Sequence, residues 1–403
     1  MPNETICLRN HRVMADSYAA SSFRQVAPSR EVVVGGMCSS AVPGVDRRRF
    51  ARNEGRRASM VDVARLAGVS AQTVSRVSSG YPGVLDETRQ LVLAAMSELG
   101  YRPNSAARAL KSGRFGTIGV IMFTLSTTGN MRTLEAIATA VLAEGQAIML
   151  LPPVTGAADG RAPGAFSRLR EEAVDGVIIV MEKHQMPMAD ISVPPGVPIV
   201  VADSDAGDEY SVVDTDQAAG AASAVRHLLD LGHRNVWHIA GPLESFAAQR
   251  RIDAWEGVLR EFGITPPPVL RGDWTAESGY RAGLQLAIED GCTAIFSAND
   301  HMALGVLRAL NDNGRRVPQD ISIVGFDDVP ESSSFLPPLT TVHQDFAEVG
   351  RRCVEGVLRQ IRSGSSERGT LLVPTRLIVR ESTSAPVEPP SVGQVVPDPT
   401  VLG

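Results

Sequence analysis

From residue 117 onward the chain alternates short, unbroken apolar runs with longer stretches whose apolar residues recur at helical spacing. "TIGVIM", "QAIMLL", "GVIIV", "PIVVA", "NVWHIA", "TAIFSA" and "ISIVGF" have the length and texture of strands buried on both faces of a parallel sheet. Between them, "TDQAAGAASAVRHLLDLG", "ESFAAQRRIDAWEGVLREFG" and "NDHMALGVLRALNDNG" read as helices. Such alternation implies right-handed crossovers and doubly wound sheets. The strands are too many for one sheet, so two α/β lobes are expected. Their seam is placed between the "TDQAAG" helix and "NVWHIA".

Residues 60–100 have a different texture, helical in three pieces. "MVDVARLA" comes first, and "DETRQLVLAAMSELG" comes last, with Asp86 as a predicted N-cap and Gly100 as a C-cap. Between them lies "GVSAQTVSRVSSG", where Val74 and Val77 are spaced helically among small or hydroxylated residues. Ala64 is small enough for a second helix to cross closely, and Gly68 stands where a tight turn needs a positive φ. Val69, Val74 and Val77 bind the two helices, and the Ser70 hydroxyl is placed to cap the second. This is the spacing of a helix-turn-helix whose second helix exposes Ala71, Gln72, Ser75 and Arg76, with Ser70 and Thr73 at its start. Gln can pair with adenine and Arg with guanine, while short Ser and Ala side chains let a helix enter a major groove. The competing reading, a helical hairpin inside a core, lacks the bulky residues it needs.

Charge supports contact with nucleic acid. The net charge of −6 divides into +8 over residues 1–114 and −14 over the remainder. A basic arm on an acidic body suits a DNA-binding head carried by a sensor. Residues 1–57 lack sustained periodicity and are expected to be disordered, or to be sequence upstream of the natural start near Met60. The Pro-rich stretch 382–403 is likewise expected to be a disordered tail.

No apolar run reaches the roughly 18 residues needed to span a bilayer, and no secretory signal is evident. Cys7, Cys38, Cys292 and Cys353 are scattered without metal-ligand spacing, which suits a reducing cytoplasm. There is no Gly-rich phosphate loop, nucleophile elbow or metal-spaced His pair, and His184, His233, His238 and His343 show no catalytic spacing. Neither an enzyme nor a bound cofactor or metal is expected.

The segments "DVARLAGVSAQTVSRV" and "GYRPNSAARALKSG" resemble the headpiece and hinge helix of the LacI/GalR family. "HIAGP", "GDWTAESGY", "ANDHMALG", "ISIVGFDD" and "PPLTTVHQDF" continue the resemblance in order, over about residues 60–380. It implies an all-α helix-turn-helix headpiece over 58–103 and a hinge helix with linker over 104–116. A two-lobe α/β body like a periplasmic binding protein, with parallel sheets, would follow over 117–381. DNA contacts would come from the second helix, from Tyr101, and from Asn104, Ala107 and Leu110 of the hinge, where Leu110 wedges a base step in the minor groove.

The resemblance also implies a sugar-binding cleft lined by Asp203, Arg251, Trp274, Asn299, Asp327, Gln344 and Phe346. One of the adjacent Arg250 and Arg251 is expected to be a surface charge, and the family motif favours Arg251 for the cleft. Trp274 paired with "HQDF" resembles the family's namesake, so a galactoside or related glycoside is the leading ligand class. Phe123 is expected to line the cleft where the namesake has a small hydroxyl, altering the fit. The tail has no leucine heptads, so a homodimer on a pseudo-palindromic operator is expected in the cytoplasm, associated with the nucleoid. A purine co-repressor that tightens DNA binding, and a sugar-binding protein without DNA function, remain as alternatives.

Overall fold

The computed structural model describes residues 58–102, 113–151, 174–181, 196–207 and 209–387, which form two units divided after Pro103. The first contains α1 (Met60–Leu66), α2 (Ala71–Ser78) and α3 (Asp86–Glu98). Ser59 and Asp62 make a reciprocal capping box at the start of α1, and Ser70 Oγ accepts from Thr73 N at 3.1 Å to open α2. Gly68 turns the chain between them at φ +67°, a conformation that would strain any other residue. Val63, Ala64, Val74, Val77, Val92, Ala95 and Met96 fill the small core. Asp86 is the first residue of α3 and not its cap: Leu85 occupies that position without a side-chain bond. Asp86 and Glu87 instead place negative charge on the helix's positive end.

The second unit runs through β1 (Thr117–Met122), α4 (Thr128–Ala143), β2 (Ala147–Leu151), β3 (Gly176–Val180), β4 (Ile199–Ala202) and β5 (Ser211–Thr215). It continues with α5 (Gln217–Asp230), β6 (Val236–Ala240), α6 (Phe246–Glu261), β7 (Leu270–Arg271), α7 (Ala276–Ala287), β8 (Ala294–Ser297) and α8 (Asp300–Asp312). β9 (Ser322–Asp327), β10 (Thr340–His343), α9 (Phe346–Ser363), β11 (Gly369–Val373) and β12 (Arg376–Ile378) complete it. Among the described residues two six-stranded sheets result, ordered β11-β5-β4-β3-β1-β2 and β12-β10-β9-β8-β6-β7. All pairings are parallel except that of β12 with β10. β1, β3, β6, β8 and β9 are buried along nearly their whole length, which accounts for their unbroken apolar runs.

The seam between lobes falls before α5 and not after it. Ala221, Ala224, Val225, Leu228 and Leu229 of α5 join Val236, Trp255, Phe296, Val324 and Phe326 in a second-lobe core. Helical periodicity shows that α5 has an apolar face but not which sheet will cover it. The chain crosses at Asp216, at Gln344–Asp345 and again between β11 and β12. The first and third crossings touch: Asp216 N donates to Val373 O at 2.8 Å, and Thr375 Oγ1 donates to Asp216 O at 3.3 Å.

The folded body also extends past its expected end. Ser382 is fully buried; its hydroxyl donates to Ile323 O at 2.6 Å and accepts from Thr340 N at 2.7 Å. Ile323 N donates back to Ser382 O at 2.8 Å, and Ser384 N to Ser322 Oγ at 3.0 Å. Proline content misled here because the segment's order comes from backbone pairing with the second-lobe sheet, not from apolar bulk. Residues 388–403, like 1–57, lie outside the described residues. Ser382→Ala should strand one buried amide and one carbonyl without adding bulk to the fully buried site. A loss of about 1–3 kcal/mol in urea unfolding is expected, with little change in m-value.

Candidate functional site

On α2 the two buried valines set the helix's rotation, and the rest follows from the 3.6-residue turn. Ser70, Ala71, Gln72 and Arg76 face solvent, and Thr73 and Ser75 are half-buried. Thr73 Oγ1 lies 2.9 Å from Ser70 Oγ, so these two hydroxyls serve the helix start. The Arg76 guanidinium sits 5.6 Å from the centre of the Tyr81 ring, which steadies a long side chain at low cost. Tyr101 is half-buried and packs against the headpiece core, with its backbone N–H on Met96 O at 2.9 Å. Asn104, Ala107 and Leu110 lie outside the described residues.

The body holds a cleft of about 80 Å³, partly open to solvent, where both lobes meet. Asp203, Arg251, Trp274, Asn299, Asp327, Gln344 and Phe346 all line it. Most come from strand ends or helix starts, where a doubly wound sheet opens its crevice. Arg251, on α6, is 3% exposed. Its Nε and Nη2 donate to Gln217 Oε1 at 2.9 and 2.7 Å, and its Nη1 donates to Ala298 O. Gln217 Nε2 passes the chain to Gln344 Oε1 at 3.2 Å, and Gln344 Nε2 passes it to Asp327 Oδ1 at 2.6 Å. Arg251 itself stands 3.9 Å from Asp327, attracted without a shared hydrogen. Its guanidinium lies 3.7 Å from the Phe326 ring centre and 5.5 Å from that of Trp274.

Burial dominates the electrostatics. It pushes the Asp327 carboxyl up against the opposing pull of Arg251 and the Gln344 hydrogen bond. It pulls Arg251 down while Asp327, Asp203, Asp214 and Asp300 push it back. Beneath the site, burial and neighbouring Asp327 push Asp300 up to about 8, although Thr341 and the Val329 N–H favour its charged form. His238 is pushed down to about 3 by burial, so its imidazole is neutral. Burial also pushes the thiols of Cys292 and Cys353 up to about 12, which leaves them unreactive.

Four non-glycine residues among those described have left-handed backbones, and Asp203 (φ 55°), Trp274 (φ 72°) and Asp327 (φ 110°) line the cleft. Strain of about 1–3 kcal/mol each aims these side chains. The Trp274 ring lies over Gly241, where a Cβ would collide with it. Asn299 caps α8 through Met302 N at 2.8 Å and also donates to Trp274 O at 3.1 Å, so its capping and positioning roles coexist.

Two expectations change. Phe123 is absent from the cleft lining and packs with Ile121, Val201, Val212 and Phe246. Strand alternation puts Phe123 on the face of Ile121, opposite Val120 and Met122. The first-lobe wall is instead mixed: Thr127, Thr128, Asn130 and Thr133 give it a polar side, and Val180, Ala202, Val213 and Val349 an apolar one. Nor is Arg250 a free surface charge. It pairs with buried Asp214 and donates to Ser204 O at 2.9 Å. Burial pushes Asp214 up to about 6, and Arg250 restrains that rise. Gln217, Asp214 and Ser245 also line the cleft and were missed. For Gln217 the available signal was its place directly after a strand end and helix cap.

Residues 59–104 match the model of the bacterial regulatory proteins of the lacI family, and residues 225–383 match a periplasmic binding protein-like domain. The lactose operon repressor of Escherichia coli (strain K12) is 35% identical over 81% of this chain and 91% of its own length. The transcriptional repressor PurR of Pasteurella multocida (strain Pm70) is 31% identical over 81% of this chain and 99% of its own. Among solved structures, a lac repressor dimer bound to operator and the anti-inducer ONPF superposes with TM-score 0.72 at 33% identity, covering 82% of this chain and all of that one. A complex of the regulator CelR with cellobiose gives TM-score 0.59 at 30% identity, covering 81% of this chain and all of that one. With a DNA-binding headpiece and a two-lobe binding body in one polypeptide, the chain belongs to the LacI family of transcriptional regulators, as a ligand-responsive, non-enzymatic DNA-binding repressor.

Proposed function

We propose that this repressor binds a pseudo-palindromic operator as a homodimer and is released by a neutral, polyhydroxylated ligand, with a galactoside or related glycoside as the leading class. The observation that carries the ligand class is the charge of the cleft. Arg251 is the one cation among its described lining residues, and its donors are engaged by Gln217 and Ala298 O. Asp203 and Asp327 outnumber it, and Asp214 is paired with Arg250. Such a site penalises phosphates and carboxylates, whereas hydroxyls can donate to Asp327 and Asp203 and accept from amides. Trp274 and Phe346 offer apolar faces for sugar C–H surfaces, and Asn130, Thr127 and Thr133 extend the polar wall into the first lobe.

On DNA, α2 lies in the major groove with Ala71, Gln72, Ser75 and Arg76 toward the base edges, supported by Ser70, Thr73 and Tyr101. Asn104, Ala107 and Leu110 form the minor-groove hinge, with Leu110 wedging a base step. Ligand in the cleft favours a lobe arrangement that separates the paired hinges. Coupling of about 1–3 kcal/mol is usual for such linkage, and a tight switch needs more. The site of action is the cytoplasm, on the nucleoid; no helix among the described residues is long and apolar enough to cross a membrane. The 31% identity to PurR favours one second reading, a purine that tightens operator binding.

Gln72→Ala with Arg76→Ala should lower affinity for a duplex enriched by the wild type from a random pool by about 2–6 kcal/mol, since each bidentate base contact is worth about 1–3 kcal/mol. Binding to an unrelated duplex should barely change, and unaltered specific binding would refute the assignment of α2. In a second measurement, Trp fluorescence is followed as methyl galactosides, methyl glucosides, cellobiose and hypoxanthine are titrated, with DNA retention read in parallel. A glycoside that shifts fluorescence and releases DNA is expected. Hypoxanthine strengthening retention would reverse both the ligand class and the sign. Asp327→Ala should retain DNA binding yet lose most of the release.

A further inference from the structure

Where the chain enters the first lobe, one carboxylate takes hold of it. Asp175 Oδ1 accepts from Phe115 N and Oδ2 from Gly116 N, each at 2.7 Å. The backbone of Asp175 adds a third tie, donating to Thr117 O at 2.8 Å. Three consecutive residues are thus registered to a single residue at the head of β3. Arg114 reaches the last turn of α9 and donates to Ile361 O at 3.2 Å. Gly116 O accepts from Ala147 N at 2.8 Å, so β1 is already committed to its neighbour β2 at this point.

The local sequence makes this hold mechanically significant. Gly113 and Gly116 have φ of +69° and +70°, and without restraint they would form a swivel between the lobe and everything N-terminal to it. The two hydrogen bonds to the carboxylate fix the plane of the chain at Gly116, and the Arg114 bond to Ile361 O holds the residue directly after Gly113. A charged acceptor shared by two backbone donors is stronger than a neutral one, and its fork geometry sets direction as well as distance. A displacement of the first lobe can steer the chain leading to the headpiece only if that exit is stiff.

We infer that Asp175 is a positioning residue for operator recognition: its carboxylate clamps the exit segment, so that the arrangement of the first lobe sets the path of the chain toward the DNA-binding head. This rests on the proposed repressor function. It assigns Asp175 no contact with DNA or ligand. The clamp is separable from folding, because the Thr117 bond and the pairings of β1 with β2 and β3 do not use the carboxylate.

The experiment compares wild type, Asp175→Asn and Asp175→Ala as full chains. Amide hydrogen exchange at Phe115 and Gly116 reports the clamp, and thermal unfolding reports the fold. Affinity is measured for the duplex enriched by the wild type and for an unrelated duplex. In Asp175→Ala, exchange should accelerate about tenfold or more at these two amides, with Tm nearly unchanged. Affinity for the enriched duplex should fall about tenfold, while affinity for the unrelated duplex, carried by the positive excess of residues 1–114, stays within about twofold. Asp175→Asn keeps one acceptor and should fall between; it carries the test if the alanine variant does not fold. Faster exchange with no loss of specific affinity would make the clamp merely structural and overturn the inference. An equal loss on both duplexes would overturn it as well, since it points to damage in the headpiece. If the wild type enriches no duplex at all, the repressor reading fails first and takes the inference with it.

Discussion

A guanidinium deprived of water must be compensated on all sides, and Arg251 draws the second lobe and the crossings around itself to meet that demand. Its partners come from the start of α5, the end of β8 and, through Gln217, the segment after β10. Aromatic faces from β9 and from the turn before α7 cover its planes. Moving such an ion into a low-dielectric interior costs several kcal/mol even after relaxation, so each partner is constrained by the others. The cleft wall is thereby prepared before any ligand arrives. A ligand entering such a wall meets oriented donors and acceptors and need not order them itself.

The same network lies on the joints of the body. Gln217 follows the first crossing directly and Gln344 is part of the second, while Asp216 meets Val373 and Thr375 at the third. Interaction energy at the cleft is therefore exerted where the lobes are linked, and little intervening structure is needed to convert binding into a change of lobe arrangement. Strain points the same way. Left-handed backbones at Asp203, Trp274 and Asp327 hold side chains over the cleft that relaxed strand ends would direct elsewhere.

The division of charge suits the two tasks. The net +8 over residues 1–114 lies in the segments flanking the headpiece, since residues 58–103 carry four Arg against four acids, while the −14 carried by the remainder discourages the body from lying on the same duplex. Within the body, buried acids outnumber buried bases around the cleft.

Most of the architecture was legible in the sequence because its strands are buried on both faces and its headpiece helices carry local signals. "TIGVIM", "GVIIV" and "ISIVGF" became β1, β3 and β9, and Ser70 and Gly68 shaped the helix-turn-helix as hydroxyl capping and positive φ require. Seven of eight expected cleft residues converge, since strand ends and helix starts mark the crevice of this fold. What the tertiary structure alone decided depends on partners distant in the chain. Periodicity could not say which sheet α5 would cover, or that Ser382 would be ordered by pairing near β9. Adjacent Arg250 and Arg251 look alike until Asp214 claims one and Gln217 the other. Phe123 turned away because its environment is set by Phe246 and Val212, more than eighty residues later. Local sequence determines which elements form and which of their faces are apolar, because those depend on backbone geometry over a few residues. Which charge is buried, and beside what, is decided only when remote segments exclude water together.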